Sequence, residues 1–301
     1  MTNIHQIQKE QREKIEITVK HLLSVVPSSR MPQLAVICGS GLSGLSETLK
    51  EPIVLDYKTI PNFSTNTVAG HSGKLVFGFL QNIPTVCMVG RFHFYEGHSL
   101  FNVTFPVRVF AKLGVKAMVV TNAAGGLNPN FNTGDIMIIK DHINMPGLAG
   151  NNPLIGVNHD DFGPRFPALT DAYDDEMSNI MQQSARKCGL TSNVIRSGVY
   201  CFVAGVKDLW FVDKAEARML KSFGGDAVGM STVPEVIIAR HCGIRVVGLS
   251  LITNKVITEE KSDIPKPTHE EVLQASQNRA RDMQGLVHEF AGLLKTQTFM
   301  M

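Results

Sequence analysis

Apolar residues follow two rhythms along this chain. Short unbroken runs alternate with longer stretches in which apolar positions recur every three or four residues. The runs Leu34–Cys38, Ile53–Tyr57, Leu75–Leu80, Thr85–Val89, Asp135–Ile139, Ser197–Val203 and Arg245–Ile252 read as strands, several apolar on both faces as in a parallel sheet. Residues 4–26, Phe101–Leu113, Asp171–Cys188, Asp213–Phe223, Pro234–His241 and His269–Leu294 read as helices. Residues 144–168, broken by prolines and glycines, read as a long irregular excursion, and the hydrophilic Glu259–Thr268 as a mobile loop. Strands and helices alternate from end to end, so the expected class is α/β with a mixed, mostly parallel central sheet flanked by helices. No linker, repeat or low-complexity segment divides the chain, and a single domain spanning 1–301 is expected.

One stretch stands out, Met118-Val-Val-Thr-Asn-Ala-Ala-Gly-Gly126. It reads as a buried strand that ends in small residues and a glycine turn. That is how a parallel sheet presents its carboxyl end to a ligand, and equally how an ordinary strand-to-helix turn is built.

Composition narrows the classes. The formal charge is +2, which gives no electrostatic reason to expect a nucleic acid or a membrane surface as partner. The five cysteines, Cys38, Cys87, Cys188, Cys201 and Cys242, contain no CxxC pair, and at least four sit in apolar runs. Buried free thiols in a reducing compartment fit that usage better than a disulfide framework. The polar N-terminus shows no signal peptide, and Arg240, His241 and Arg245 interrupt the most apolar stretch, so no membrane span is expected. A soluble cytoplasmic protein is the expectation.

Four strand ends carry candidate chemistry. Cys38-Gly-Ser-Gly-Leu42 offers backbone N–H groups and the Ser40 hydroxyl to an anion, or is a plain turn. It matches neither a GxxxxGK[ST] loop nor a correctly spaced GxGxxG, which disfavours nucleoside triphosphates and dinucleotides. In Gly90-Arg-Phe-His-Phe-Tyr-Glu-Gly97, Arg91, His93 and Tyr95 alternate, and an extended backbone would aim them one way. An arginine fork suits phosphate, the histidine can add a donor, and Glu96 can orient an imidazole. His93 and His98 lack the companions that a metal site needs. In Asp226-Ala-Val-Gly-Met-Ser-Thr-Val-Pro-Glu235, Ser231 or Thr232 can cap the following helix or bind phosphate. Leu249-Ser-Leu-Ile-Thr-Asn-Lys255 ends in Asn254, whose amide both donates and accepts, as the edge of a heterocycle requires. No Ser-His-Asp order or carboxylate pair calls for hydrolysis.

Read together, ICGSGL, GRFHFYEGH, TNAAGGLNP, DAVGMSTVPEV and SLITNKV resemble the trimeric purine nucleoside phosphorylases, over roughly residues 30–295. The resemblance implies the nucleoside phosphorylase fold and a pentosyltransferase that cleaves ribonucleosides and 2'-deoxyribonucleosides with phosphate, giving free base and (deoxy)ribose 1-phosphate. It implies His93 and Asn254 as catalytic residues. Phosphate would be held by Ser40, His71, Arg91, His93, Ala123 and Ser231. Ribose would meet Tyr95, Met230, His269 and Phe166, the last reaching a neighbouring subunit of a homotrimer. The base would meet Ala124, Phe211, Val212, Asp213, Val228 and Asn254. No cofactor and no metal are implied, inorganic phosphate being a co-substrate.

The chain departs from this pattern at one place. Members of the family carry a segment like Ala-Gly-Pro-Ser-Phe-Glu-Thr, whose glutamate accepts the N1 proton of a 6-oxopurine. Here the chain reads Val203-Ala-Gly-Val-Lys-Asp-Leu-Trp-Phe-Val-Asp213, with about three extra residues. Phe211 keeps the ring, Val212 replaces the glutamate and Asp213 follows. Losing a hydrogen bond to a charged group is worth about 1.5–3 kcal/mol, or roughly 10- to 100-fold. Altered base specificity, extending to pyrimidine nucleosides such as cytidine, is therefore expected. Asp213 or Asp208 would restore a carboxylate if the longer loop folds differently, and Trp210 would fill space beside a smaller base. The alternatives are a methylthioadenosine phosphorylase, a nucleoside-binding protein with little catalysis and, weakest, a dehydrogenase.

Overall fold

Ten residues, Ala117–Gly126, form the strand on which the sheet turns. The structure, a computed structural model, describes residues 4–39, 42–64, 73–204, 213–258 and 269–297. Its elements in chain order are α1 (Ile4–Val25), β1 (Leu34–Cys38), β2 (Lys50–Asp56), β3 (Lys74–Leu80), β4 (Ile83–Val89), α2 (Leu100–Leu113), β5 (Ala117–Gly126), β6 (Ile136–Asn144), α3 (Met145–Leu148), α4 (Asp175–Lys187), β7 (Ile195–Phe202), α5 (Lys214–Ser222), β8 (Ala227–Gly229), α6 (Val233–His241), β9 (Arg245–Lys255) and α7 (His269–Gln297). The mobile loop expected at Glu259–Thr268 lies outside the described residues.

The strand order is β2-β3-β4-β1-β5-β8-β7-β6-β9, and β9 also pairs with β5, so β5, β8, β7, β6 and β9 close into a ring. Among the described residues five pairings are parallel and four antiparallel. The sheet is thus mixed with a parallel majority, as expected.

Alternation along the strands feeds two cores. Ile37, Met118 and Val120 face one side with Leu22, Phe105, Val109 and Ile237, from α1, α2 and α6. Val36, Val119 and Leu249 face the other with Ile180, Met181, Leu286 and Phe290, from α4 and α7. Each fully buried Leu, Ile or Phe adds about 1.5–3 kcal/mol to this packing.

Three sequence readings change. Gly125 and Gly126 do not turn; they remain in β5, because Val228 and Ala227 pair with them antiparallel on one edge and β9 continues on the other. β6 runs on to Asn144 past the polar Lys140-Asp-His, because a register shift between Ile139 and Asp141 keeps it paired with β7. Of the five cysteines, none of which forms a disulfide, Cys38, Cys87 and Cys201 are buried, but Cys242 is half-buried and Cys188, one residue past α4, is exposed. Within 144–168 only α3 interrupts the irregular path, and Leu148, Ile155 and Phe166 of that excursion are exposed.

Candidate active site

The site forms where β5 loses its neighbour. β1 pairs with β5 only through Val120, and β8 joins the same edge only at Gly125. The Thr121–Ala124 edge is left between them, the kind of parting at strand ends where open α/β sheets bind ligands. Ala123 is the one residue of β5 that is not buried. The chain leaving β1 is drawn tight against this gap: the Gly39 N–H donates to Thr121 Oγ1 at 2.9 Å. A Cβ on Gly39 would lie 2.7 Å from Asn122 Cα, so glycine is what permits the approach.

Arg91 follows β4 across the gap and is 2% exposed. Its Nη1 donates to Ser231 Oγ at 2.8 Å and approaches Thr232 Oγ1 at 3.3 Å. Its Nε lies 3.3 Å from Glu235 Oε1. Asn122 Nδ2 donates to Thr232 Oγ1 at 2.9 Å, so one chain of bonds runs from β5 through Thr232 to Arg91 and Ser231. Arg91 Nη2 and Glu235 Oε2 are buried without a hydrogen-bond partner among the described residues.

Thr232 sits at φ 75° and ψ −54°, and Val233 N–H donates to Ser231 O at 2.8 Å. That is a γ-turn in its strained, positive-φ form. It overturns the expectation that Ser231 or Thr232 caps α6: no side-chain cap bond forms, because the turn points the hydroxyls at Arg91 instead. Tyr200, fully buried, supports the turn by accepting from Ser231 N–H at 3.4 Å. Burial pushes its phenol up to about 12.

The segment after Arg91 is not extended as expected. It curls into a 3-10 turn at Phe94–Glu96. The curl stacks the His93 and Tyr95 rings at 4.6 Å. Glu96 orients the imidazole, its Oε1 accepting from the His93 backbone N–H at 3.0 Å and from Nδ1 at 2.8 Å. Burial lowers the imidazole from its usual value, against the upward pull of Glu96. The ring is therefore neutral at pH 7 with Nδ1 protonated, and Nε2 carries the lone pair. That nitrogen is able to accept a hydrogen bond from a hydroxyl or a monoprotonated phosphate. Burial also raises the Tyr95 phenol to about 12, which keeps it a donor. His98 sets its ring edge-on to Phe92 at 5.5 Å. Among the described residues no group of three His, Cys, Asp or Glu side chains is placed to hold a metal.

At the end of β9 the register with β5 shifts, Ala124 facing Ile252 and Gly125 facing Asn254. Thr253 is the extra residue, and its hydroxyl donates to Asn254 Oδ1 at 3.1 Å. The bulge shifts Asn254 by one position along β5. Met230 and Ala123 are half-buried, and Ala124 is buried. Val228 turns its side chain into a small cluster with Leu127, Cys201, Ala217 and Leu220. Phe166 is 87% exposed, with Arg165 5.5 Å above its ring. Asp213 caps α5 and forms a reciprocal capping box with Glu216, its backbone N–H bonded to Glu216 Oε2 at 2.8 Å. His269 opens α7. Its side chain, and Ser40, His71, Asp208, Trp210, Phe211 and Val212 entirely, lie outside the described residues.

Sequence reasoning missed Glu235 and Asn122 as partners of Arg91, Ser231 and Thr232. A glutamate just inside a helix reads as a favourable first-turn charge, and nothing local links it to an arginine so far upstream.

Comparison with known proteins follows the same outline. Residues 33–291 match the family model described as the phosphorylase superfamily. A purine nucleoside phosphorylase from Mus musculus is 54% identical over 91% of this chain and 93% of its own length. The structure of a Schistosoma purine nucleoside phosphorylase in complex with hypoxanthine is similar, with a TM-score of 0.88 at 44% identity, covering 94% of this chain and 97% of that one. Isoform 2 of the Schistosoma mansoni enzyme, in complex with cytosine and ribose 1-phosphate, superposes with a TM-score of 0.87 at 41% identity over 94% of this chain and 96% of that one.

Proposed function

The chain belongs to the phosphorylase superfamily and is a pentosyltransferase of the purine nucleoside phosphorylase type; from that premise we propose that it splits nucleosides with inorganic phosphate at the gap beside β5, with a base preference shifted away from 6-oxopurines. The observation that carries the site is the bond chain from Asn122 through Thr232 to Arg91 and Ser231.

Phosphate binds Arg91 and Ser231, with the Ala123 backbone, Ser40 and His71 completing the cradle and His93 Nε2 accepting a phosphate proton. Ribose lies against Tyr95, Met230 and His269, with Phe166 lent by a neighbouring subunit. The exposure of Phe166, together with that of Leu148, supports a homotrimer. The base rests over Ala123 and Ala124 and is bonded by Asn254. As the glycosidic bond breaks, positive charge grows on the sugar and negative charge on the base. The phosphate dianion stabilises the first and Asn254 the second, both groups already in place. No cofactor and no metal enter this scheme, which runs in the cytoplasm.

Val212 in place of the family glutamate supports the shifted preference, since a valine accepts no proton from N1. Phe211 retains the aromatic residue of the family segment in the sequence. The relative bound to cytosine supports a reach toward pyrimidine nucleosides. Asp213 supports no simple replacement of the glutamate, because its carboxylate caps α5.

The test is phosphate-dependent release of base from inosine, guanosine, adenosine, cytidine, uridine and methylthioadenosine, with ribose 1-phosphate measured as the second product. Cleavage of cytidine comparable to or above that of inosine supports the reading. Tight nucleoside binding with no phosphate consumed would establish a binding protein instead, and a dominant rate on methylthioadenosine the other phosphorylase.

A further inference from the structure

At the opposite end of α6 from Arg91 lies a second cavity of about 270 Å³, between α1, the start of α2 and the irregular excursion. Its apolar lining includes Ile7, Leu100, Phe101 and Ile155. Arg108 of α2 also lines it and is only 3% exposed. Nη1 of this guanidinium donates to Thr104 Oγ1 at 2.7 Å, and the fork stands 5.5 Å from the Phe101 ring centre. Its Nε has no hydrogen-bond partner among the described residues. Asp161, the carboxylate that acts with Arg108 on His159, is shared by Lys112 at 2.9 Å and Arg12 at 3.1 Å. A buried guanidinium is normally matched by an acid, because an unmatched buried charge is costly.

The two histidines of the cavity do not supply a second positive charge. His159 Nε2 lies 2.9 Å from Gln11 Oε1 and His241 Nε2 lies 3.1 Å from Asn158 Oδ1, both acceptors. Each ring therefore keeps its proton on Nε2. Burial, with Arg108 next in effect, lowers both, His159 to about 4. Burial brings Arg108 itself down only to about 10, so it stays charged. Arg108 is the one fixed cation among the described residues lining this half-apolar, half-amide cavity, which suits one negative charge on a short aliphatic chain.

We propose that this cavity is a binding site, separate from the nucleoside site, for a small monocarboxylate with a short aliphatic chain, its carboxylate on Arg108 and its chain against Ile7, Leu100 and Phe101. A carboxylate fits the guanidinium fork in a bidentate manner. Inorganic phosphate, with no apolar body and a second charge, gains little there.

The experiment measures the melting temperature of the full chain in the presence of sodium hexanoate, hexanamide or inorganic phosphate. It is repeated with Arg108→Met, which keeps length and apolar volume. Hexanoate should raise the wild-type value by at least about 2 °C at saturation, and hexanamide by much less. Arg108→Met should lose the hexanoate shift while keeping a melting temperature at or above the wild-type value, since it removes an unmatched buried charge. Phosphate stabilisation, which comes from the other site, should persist in the variant. No hexanoate shift, an equal shift with hexanamide, or a shift retained in Arg108→Met overturns the proposal. If the variant does not fold, the hexanoate and hexanamide arms on the wild type decide alone.

Discussion

Arg91 and Glu235 meet as an ion pair, Nε 3.3 Å from Oε1, with each side chain only 2% exposed. The pair is electrically balanced before any ligand arrives, yet one nitrogen of the fork and one carboxylate oxygen remain without partners among the described residues. Removing one charge of such a pair costs about 3–5 kcal/mol, because the other is left buried and uncompensated. Glu235→Gln should therefore lose about 3 kcal/mol of unfolding free energy in phosphate-free buffer. Excess phosphate should restore most of it by supplying the missing negative charge. Urea unfolding with and without phosphate reads both, and a variant indifferent to phosphate would contradict the assignment of Arg91.

Thr232 joins β5 to the anion cluster through its hydroxyl. Thr232→Ala should raise the phosphate KM about 10-fold, the scale of one hydrogen bond to a charged group. Thr232→Ser keeps the oxygen and should stay within a few-fold of the wild type. Equal effects of the two would show that the methyl group, and not the hydroxyl, matters.

Gly39 is held by proximity, since a Cβ would sit 2.7 Å from both Asn122 Cα and Thr121 O. Backbone cannot yield as a side-chain tip does, so Gly39→Ala should push the loop off β5 at a cost of about 1–3 kcal/mol. Phosphate affinity should fall by about tenfold or more, with the far-UV spectrum unchanged. Unaltered phosphate kinetics would mean that this loop does not serve the site.

Acid should weaken the fold through its buried histidines. His93, His142, His159 and His241 are all lowered by burial, His159 to about 4. In the unfolded chain each takes up a proton near pH 6.5. Between about pH 6.5 and 4 the unfolded state therefore binds more protons, and stability falls as pH falls. Unfolding free energies at pH 7.5 and 5 should show this loss, and His159→Gln should reduce its slope. An unchanged slope would mean that His159 titrates normally.

Much of this was legible in the sequence, for identifiable reasons. Leu34–Cys38 was read with its true ends because a proline precedes it and glycine follows. The helix at 101–113 was read to within one residue, bounded by the Ser99 cap and by Gly114 with φ 101°. The orienting role of Glu96 followed from its spacing to His93. What stayed hidden depends on tertiary partners. Gly125 and Gly126 look like a turn until β8 is seen to pair with them. Thr232 looks like a helix cap until its backbone is known. The Arg91–Glu235 pair spans 144 positions, and no local pattern announces it.

The measurement that bears most directly on the central claim is kcat/KM for inosine and cytidine, with phosphate saturating, in the wild type and in Val212→Glu. If Val212 has displaced the acceptor for the purine N1 proton, the wild type should favour cytidine or treat the two alike. Val212→Glu should then raise the inosine value by roughly 10- to 100-fold. A wild type that already prefers inosine, and that neither Val212→Glu nor Asp213→Ala alters, would contradict the account.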